Sequence, residues 1–167
     1  MELIENLNAH LYTEMDKEHG FVNFLAQNAL DSPPPLSFFK SFIVERGGDH
    51  KDEFDIKGRA MMPLSQAARV LILSHQEPDI THTVDRFEKL AELEPQNEDV
   101  YHEAAMAYEL MIRYRALNGF RNHNSGRFIH PGGLNKIERQ TLKYAFRTIE
   151  ALQSSLRTRF NLAFFRN

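Results

Sequence analysis

Apolar residues recur at intervals of three and four positions along most of the chain, the spacing that is typical of amphipathic helices. The clearest stripe lies near the C-terminus and comprises Leu142, Ala145, Phe146, Ile149, Leu152, Leu156 and Phe160. Similar stripes predict three earlier helices over residues 63–75, 83–93 and 97–118. Asn135 followed by Glu138 matches a capping box, which marks the start of the last helix. Four such helices with short connections predict an antiparallel bundle.

Weaker patterns precede the bundle. Residues 2–12 and 16–30 have helical spacing, and the three prolines at 33–35 predict an extended linker because proline cannot continue a helix. A short helix with Phe38, Phe39 and Phe42 buried is expected over residues 36–42.

A β-like segment follows. The β-compatible runs 42–45 and 53–57 flank a turn-rich stretch, which predicts a short β-hairpin-like segment near residues 42–57. Side chains alternate along a strand, so Asp55 and Lys57 are expected to share its exposed face. The fold class is therefore expected to be mainly α.

The patterns divide the chain into three expected parts. Residues 1–35 hold N-terminal helices and the proline linker, and residues 36–62 hold the short helix and strand pair. Residues 63–167 form the four-helix bundle.

The composition fits a single domain with a packed core, since 42% of the 167 residues are hydrophobic and thirteen are Phe. The sequence has no Cys, which excludes disulfide frameworks and thiolate metal sites. Its longest aliphatic run, at 70–73, is far shorter than the roughly 20 residues that span a bilayer. The first residues are acidic, unlike a signal peptide. We expect a cytoplasmic protein with no membrane partner.

The charge is unevenly distributed, although the net charge is only −3. Residues 1–112 hold 21 acidic and 9 basic side chains, whereas residues 113–167 hold 2 acidic and 11 basic ones. A basic segment can bind an anionic partner, or it can pack against acidic helices of the same fold.

Basic residues on the last two helices form a candidate anion-binding face, although a stripe at this spacing is also typical of a solvated helix face. They are Arg113, Arg115, Arg139, Lys143 and Arg147. Nucleic-acid binding is not favoured, because no recognition motif accompanies the charge.

Complete catalytic motifs are absent from the sequence. The glycine pairs at 47–48 and 132–133 are not followed by the Lys and Ser or Thr of a phosphate-binding loop. His102 and Glu103 match half of a zinc-protease helix, but Met106 stands where the second His should be. The remaining histidines are expected to be ordinary surface or loop residues.

Residues 25–69 nevertheless contain a distinctive set of short motifs: LAQNAL at 25–30, PPLSFF at 34–39, FIVE at 42–45, HK at 50–51, DIK at 55–57, Pro63 and AAR at 67–69. This set resembles a known family, the nucleotidyltransferase substrate-binding domain. Residues 142–160 fit the final helix of that family. The resemblance implies a helical domain packed against an upstream nucleotidyltransferase domain. The bacterial signal-transduction proteins concerned also carry CBS or cyclic-nucleotide-binding domains.

The resemblance also implies what the complete protein would use: Mg²⁺, a nucleoside triphosphate and an acceptor such as another protein, in uridylyl or adenylyl transfer. The family's catalytic signature, a Gly-Ser turn followed by paired aspartates, does not occur in this sequence. The chain alone is therefore expected to hold no cofactor of its own and to have no transferase activity.

In one motif the resemblance extends to individual residues. Asp55-Ile56-Lys57 matches an Asp/Asn-hydrophobic-Lys motif found where the catalytic domain meets the helices of related transferases. By this resemblance, Asp55 is a candidate third carboxylate, a metal ligand only when the catalytic domain is present. A purely structural role at a strand end is the alternative.

Basic residues near this motif are candidate contacts to phosphate or to the catalytic domain. They are Lys57, Arg59 and Arg69, to which Arg113, Arg115 and Arg147 add the face described above. The leading hypothesis is a substrate-binding and regulatory domain. The alternative is a non-catalytic helical module for protein interaction or homodimerisation.

Overall fold

The computed structural model describes residues 2–17, 20–31, 36–37, 41–77 and 79–162. The helices in this part of the chain are α1 Glu2–Lys17, α2 Phe21–Leu30, α3 Met62–Ser74, α4 Thr83–Leu93, α5 Glu98–Asn122 and α6 Lys136–Arg159. The strands are β1 Phe54–Asp55 and β2 Phe128–Ile129, which pair in antiparallel fashion. The predicted fold class, mainly α with a short β segment, is confirmed. None of the described helices is long and apolar enough to cross a membrane.

Helices α3 to α6 pack as a bundle in which α4 and α5, α5 and α6, α3 and α4, and α3 and α6 are neighbours. α5 runs antiparallel to α6, because Tyr101 at the start of α5 and Arg159 at the end of α6 both donate to Glu94. α3 and α4 run in the same direction, because their ends meet where His75 binds Glu94, so this pair departs from the antiparallel order that the sequence predicted. The first residue of α4, Thr83, lies 3.5 Å from Ser65 near the start of α3. The segment 75–82 makes this possible, since eight extended residues can span about 26 Å.

The predicted core is confirmed on α3 and α6. The predicted stripe residues of α6 from Leu142 to Leu156 are buried, and Phe146 packs against Phe42 and Phe54 with ring centroids 5.7 and 5.0 Å apart. α2 lies against α3 and α6 through its small buried residues Ala26 and Ala29. All three predicted parts of the chain contribute to one core. The division into three parts stays a prediction.

The strand pair differs in detail from the prediction. β1 pairs with β2, which lies in the loop after α5, rather than with residues 42–45. Phe42 and Glu45 form only isolated bridges, to Leu36 and Lys51. The prediction that Asp55 is exposed beside Lys57 is wrong: Asp55 is buried, and its carboxylate is held by Arg127 and by the Gly58 N–H. Lys57 is exposed and already belongs to the helical turn that leads into α3.

The sequence predicted both the end of α5 and the start of α6. α5 continues past Gly119, where the sequence predicted its end, and stops at His123, whose backbone adopts the left-handed conformation with φ 52°. The proline linker, Phe38 and Phe39 lie outside the described residues. The prediction of a short helix over residues 36–42 is wrong at its described ends, because Leu36 and Phe42 form an antiparallel bridge, and Phe42 is half-buried. The capping box of α6 is confirmed: Asn135 Oδ1 accepts from the Glu138 N–H, and Glu138 Oε2 accepts from the Asn135 N–H.

One end of the bundle closes on a single carboxylate, which we call the Glu94 clasp. Glu94 is buried at the end of α4 and accepts hydrogen bonds from His75 Nε2 at the end of α3 (2.5 Å) and from Arg159 at the end of α6. At the start of α5, Asn97 Nδ2 (2.9 Å) and the Tyr101 hydroxyl (2.6 Å) donate to its other oxygen. All four bundle helices therefore meet at one buried charge.

The surroundings of Glu94 favour its ionised form. Burial alone would raise the pKa of Glu94, but the hydrogen bonds from Tyr101, Arg159, His75 and Asn97 outweigh it and lower the pKa to about 2. Burial and the adjacent carboxylate also raise the pKa of Tyr101. Both groups hold their protonation states across the neutral range.

We expect Glu94→Gln to lower the free energy of unfolding by about 2 kcal/mol at pH 7. A broken buried ion pair costs about 3–5 kcal/mol, and the partial exposure of Arg159 and His75 reduces that value. The folded-state pKa lies below the unfolded one, so this stabilisation is complete above about pH 5 and is lost as pH falls towards 2. Urea unfolding of both proteins between pH 7 and pH 3 should show the difference shrink.

The control is Glu92→Gln on the same helix, because Glu92 is exposed and, among the described residues, forms an ion pair with Lys89 alone. This variant should change stability by less than about 0.5 kcal/mol. A Glu94 variant that is as stable as the control at pH 7 would contradict the clasp.

Candidate functional site

The predicted motif Asp55-Ile56-Lys57 lies where β1 turns into α3, at the opposite end of α3 from the clasp. Asp55 Oδ1 accepts from the Gly58 N–H at 2.8 Å, so the carboxylate caps the first helical turn. Arg127, the residue before β2, donates to both carboxylate oxygens, from Nε at 3.0 Å and from Nη2 at 2.7 Å. Such a two-pronged Arg–carboxylate pair fixes geometry as well as charge. Asp55 thereby joins β1, α3 and the loop before β2.

Gly58 is required for this arrangement. A Cβ at position 58 would lie 2.6 Å from Asp55 Oδ2, closer than real contacts allow. Burial would raise the pKa of Asp55, but the hydrogen bonds from Arg127 and Gly58 outweigh it and lower the pKa. Asp55 is therefore an ionised carboxylate whose oxygens are already bound.

The metal role of Asp55 stays a prediction. Among the described residues, no group of three or more His, Asp or Glu side chains could hold a metal ion. Asp55 alone, with both oxygens on Arg127, does not fit Mg²⁺, which needs several oxygen ligands in octahedral geometry. A metal at Asp55 would require ligands from elsewhere and a displaced Arg127.

Basic side chains surround the carboxylate at this end of α3. Lys57 is exposed, and Arg59 Nη2 lies 3.5 Å from Glu45. Arg127 keeps nearly half of its side-chain surface exposed despite the ion pair. We call these four residues, Asp55, Lys57, Arg59 and Arg127, the junction. The sequence analysis missed Arg127, since a lone arginine in a polar loop carries no local signal beyond its charge.

A groove of about 700 Å³ lies beside the junction, between the C-terminal half of α5 and the turn that leads into α3. We call it the α5 groove. Its lining residues are Met61, Ile112, Arg115, Ala116, Gly119, Phe120, His123, Asn124 and Ser125. Of the predicted basic residues, Arg115 lines this groove, where it adds a cation to a partly apolar wall.

The loop after α5 connects the groove to the junction. Arg115 Nε donates to the Ser125 carbonyl at 3.2 Å, and Asn118 Nδ2 donates to the Phe128 carbonyl at 2.8 Å. Two residues beyond Ser125 in the same loop, Arg127 reaches Asp55. A ligand in the groove would therefore contact the loop that holds the junction together.

The other predicted basic residues lie elsewhere. Arg69 is exposed on α3 and lines a cavity of about 440 Å³ with residues of α2, including Asn28. Lys143 and Arg147 line a cavity of about 460 Å³ on α6 with Tyr144. Arg113 and Arg139 are exposed. The predicted cations thus occupy several surfaces rather than a single face, and their proposed binding roles stay predictions.

Comparison with known proteins identifies one family. The family model described as "putative nucleotidyltransferase substrate binding domain" matches residues 19–160, which is most of the chain. Searches of the curated proteins and of the solved structures found no match.

We expect Asp55→Ala to lower the free energy of unfolding by about 2 kcal/mol, since it removes both a helix cap and an ion pair. Asp49→Ala is the matched control, because Asp49 is exposed in the neighbouring turn. The control should stay within about 0.5 kcal/mol of the wild type. Urea unfolding at pH 7 measures both variants, and equal stabilities would show that the Asp55 contacts do not form in solution.

Proposed function

The chain belongs to the family of nucleotidyltransferase substrate-binding domains, and we propose that it holds a substrate for a catalytic domain that docks at the junction. The observation that carries this proposal is the Asp55–Arg127 pair at the start of α3. Asp55 belongs to the motif that, by the resemblance, related transferases place where the catalytic domain meets the helices. The exposed Lys57 beside it supplies positive charge for a phosphate or for an acidic partner surface.

The catalytic domain would supply what this chain lacks. Nucleotidyl transfer needs clustered carboxylates and Mg²⁺ to neutralise the triphosphate. We propose that paired aspartates of the catalytic domain hold this metal and that Asp55 joins them only if Arg127 is displaced. Uridylyl or adenylyl transfer to an acceptor protein in the cytoplasm, under the control of CBS or cyclic-nucleotide-binding domains, is the proposed setting.

A second candidate function, an interaction or dimerisation module, is favoured by a different surface. On the outer faces of α5 and α6, Met106, Ile137 and Tyr144 expose 61, 78 and 58% of their surface. Met106 and Tyr144 line one cavity between the two helices, and exposed apolar patches are typical of protein interaction sites. A second copy of the chain bound there would appear as a dimer in size-exclusion chromatography with light scattering.

We expect the chain to bind Mg–UTP or Mg–ATP in isothermal titration calorimetry with one site per chain. The chain should release no pyrophosphate and transfer no nucleotide when incubated with either triphosphate, because the sequence has no paired-aspartate motif. Addition of a nucleotidyltransferase catalytic domain of this family should restore transfer.

Two results would contradict the proposal. Turnover of nucleotide by the purified chain would identify it as a complete enzyme. A dimer that binds neither the triphosphates nor a catalytic domain would favour the interaction module.

A further inference from the structure

We propose that the α5 groove is the binding site for the nucleoside phosphate, with a phosphate group on Arg115 and the planar base against Phe120. This inference rests on the proposed function and adds to it the site and the chemical class of the substrate. The groove volume of about 700 Å³ lies within the roughly 300–1,000 Å³ of typical ligand sites.

Arg115 is suited to bind phosphate. Its Nε donates to the Ser125 carbonyl, which fixes the plane of the guanidinium group. No described residue accepts a hydrogen bond from its two terminal nitrogens, Nη1 and Nη2, so these can donate to two phosphate oxygens at once. His123 lies in the same lining, and none of the described lining residues is acidic. The groove is therefore free of the negative charge that would repel an anion.

Phe120 is suited to bind a base. It exposes 83% of its surface, although a large aromatic side chain is normally at least partly buried. Ile112, two helical turns earlier, exposes 40% and extends the apolar wall, and Met61 lies on the other side. Stacking of a base on an aromatic ring is a common mode of nucleotide binding. A phosphate-only ligand would leave this apolar wall unused.

The loop that forms the polar wall is held in place before any ligand arrives. At Gly126 the backbone has φ +66°, and a Cβ there would lie 1.9 Å from the Arg115 carbonyl oxygen. A Cβ at Gly119 would lie 2.8 Å from the Asn124 carbonyl oxygen. Only glycine fits this close approach of loop and helix. Asn124 Oδ1 also accepts from the Gly126 N–H at 2.8 Å. A wall that is already formed saves the cost of ordering it on binding.

The test is calorimetry on the full chain with four ligands: Mg–ATP, Mg–UTP, tripolyphosphate and uridine. We expect Arg115→Gln to weaken triphosphate binding by about tenfold or more, the usual effect of losing a charge-assisted contact. Phe120→Ala should weaken Mg–ATP and Mg–UTP by about tenfold and leave tripolyphosphate unchanged, since only the base stacks.

Matched controls are Arg121→Gln and Leu117→Ala, because both residues are exposed on α5 and neither is among the lining residues. Both should bind the triphosphates within about twofold of the wild type. Because Arg115 also holds the loop, circular dichroism of each variant checks folding. Phe120 is 83% exposed, so Phe120→Ala removes mostly exposed atoms and keeps the test informative if Arg115→Gln misfolds.

The possible outcomes separate the two proposals. If the wild type binds Mg–UTP or Mg–ATP and neither Arg115→Gln nor Phe120→Ala weakens it, the groove is not the site, while the proposed function stands. If tripolyphosphate binds as tightly as the triphosphates and Phe120→Ala has no effect, the base is not recognised there and the inference is wrong. If the wild type binds none of the ligands, both proposals fail.

Discussion

The Glu94 clasp is the interaction on which the arrangement of the bundle depends. A buried carboxylate is costly unless it is fully hydrogen-bonded, and Glu94 meets this condition only when the ends of α3 and α6 and the start of α5 are all present. Apolar packing alone is non-directional and tolerates alternative helix positions. The clasp therefore adds a geometric requirement, since His75, Tyr101 and Arg159 reach one carboxylate in one arrangement. The same requirement explains why α3 and α4 end together although they are consecutive in the chain.

The opposite end of the bundle is built differently. There the polar contacts hold loops rather than helix ends: Asp55 binds Arg127, and Arg115 and Asn118 bind backbone carbonyls of the loop after α5. Loops placed on a rigid helical scaffold are where binding residues concentrate in proteins. The α5 groove and the exposed Lys57 therefore lie at the junction end of the bundle, and the buried Glu94 clasp lies at the other end.

The extent to which the sequence predicted this structure follows from the range of each interaction. Helical stripes and the capping box at Asn135 involve residues a few positions apart, so the sequence predicted them correctly. Glu94 and Arg159 are 65 positions apart, and Asp55 and Arg127 are 72 apart, so no local pattern marks either pair. The strand partner of β1, β2, was missed for the same reason, because it lies more than 70 positions further along the chain. Gly119 was wrongly interpreted as the end of α5. A glycine is needed there because the loop after α5 passes too close for a Cβ.

The uneven charge of the chain now divides into two contributions. Arg127 and Arg159, both in the basic C-terminal part, form ion pairs with Asp55 and Glu94 in the acidic part, as expected if the fold compensates its own charge. Among the described residues, Arg113 and Arg147 form no ion pair. Exposed cations that the fold does not neutralise are free to attract anionic ligands or acidic surfaces from solution. Intramolecular compensation and an anionic partner are therefore not competing explanations, because the arginines that form ion pairs within the fold are not the ones that would meet such a partner.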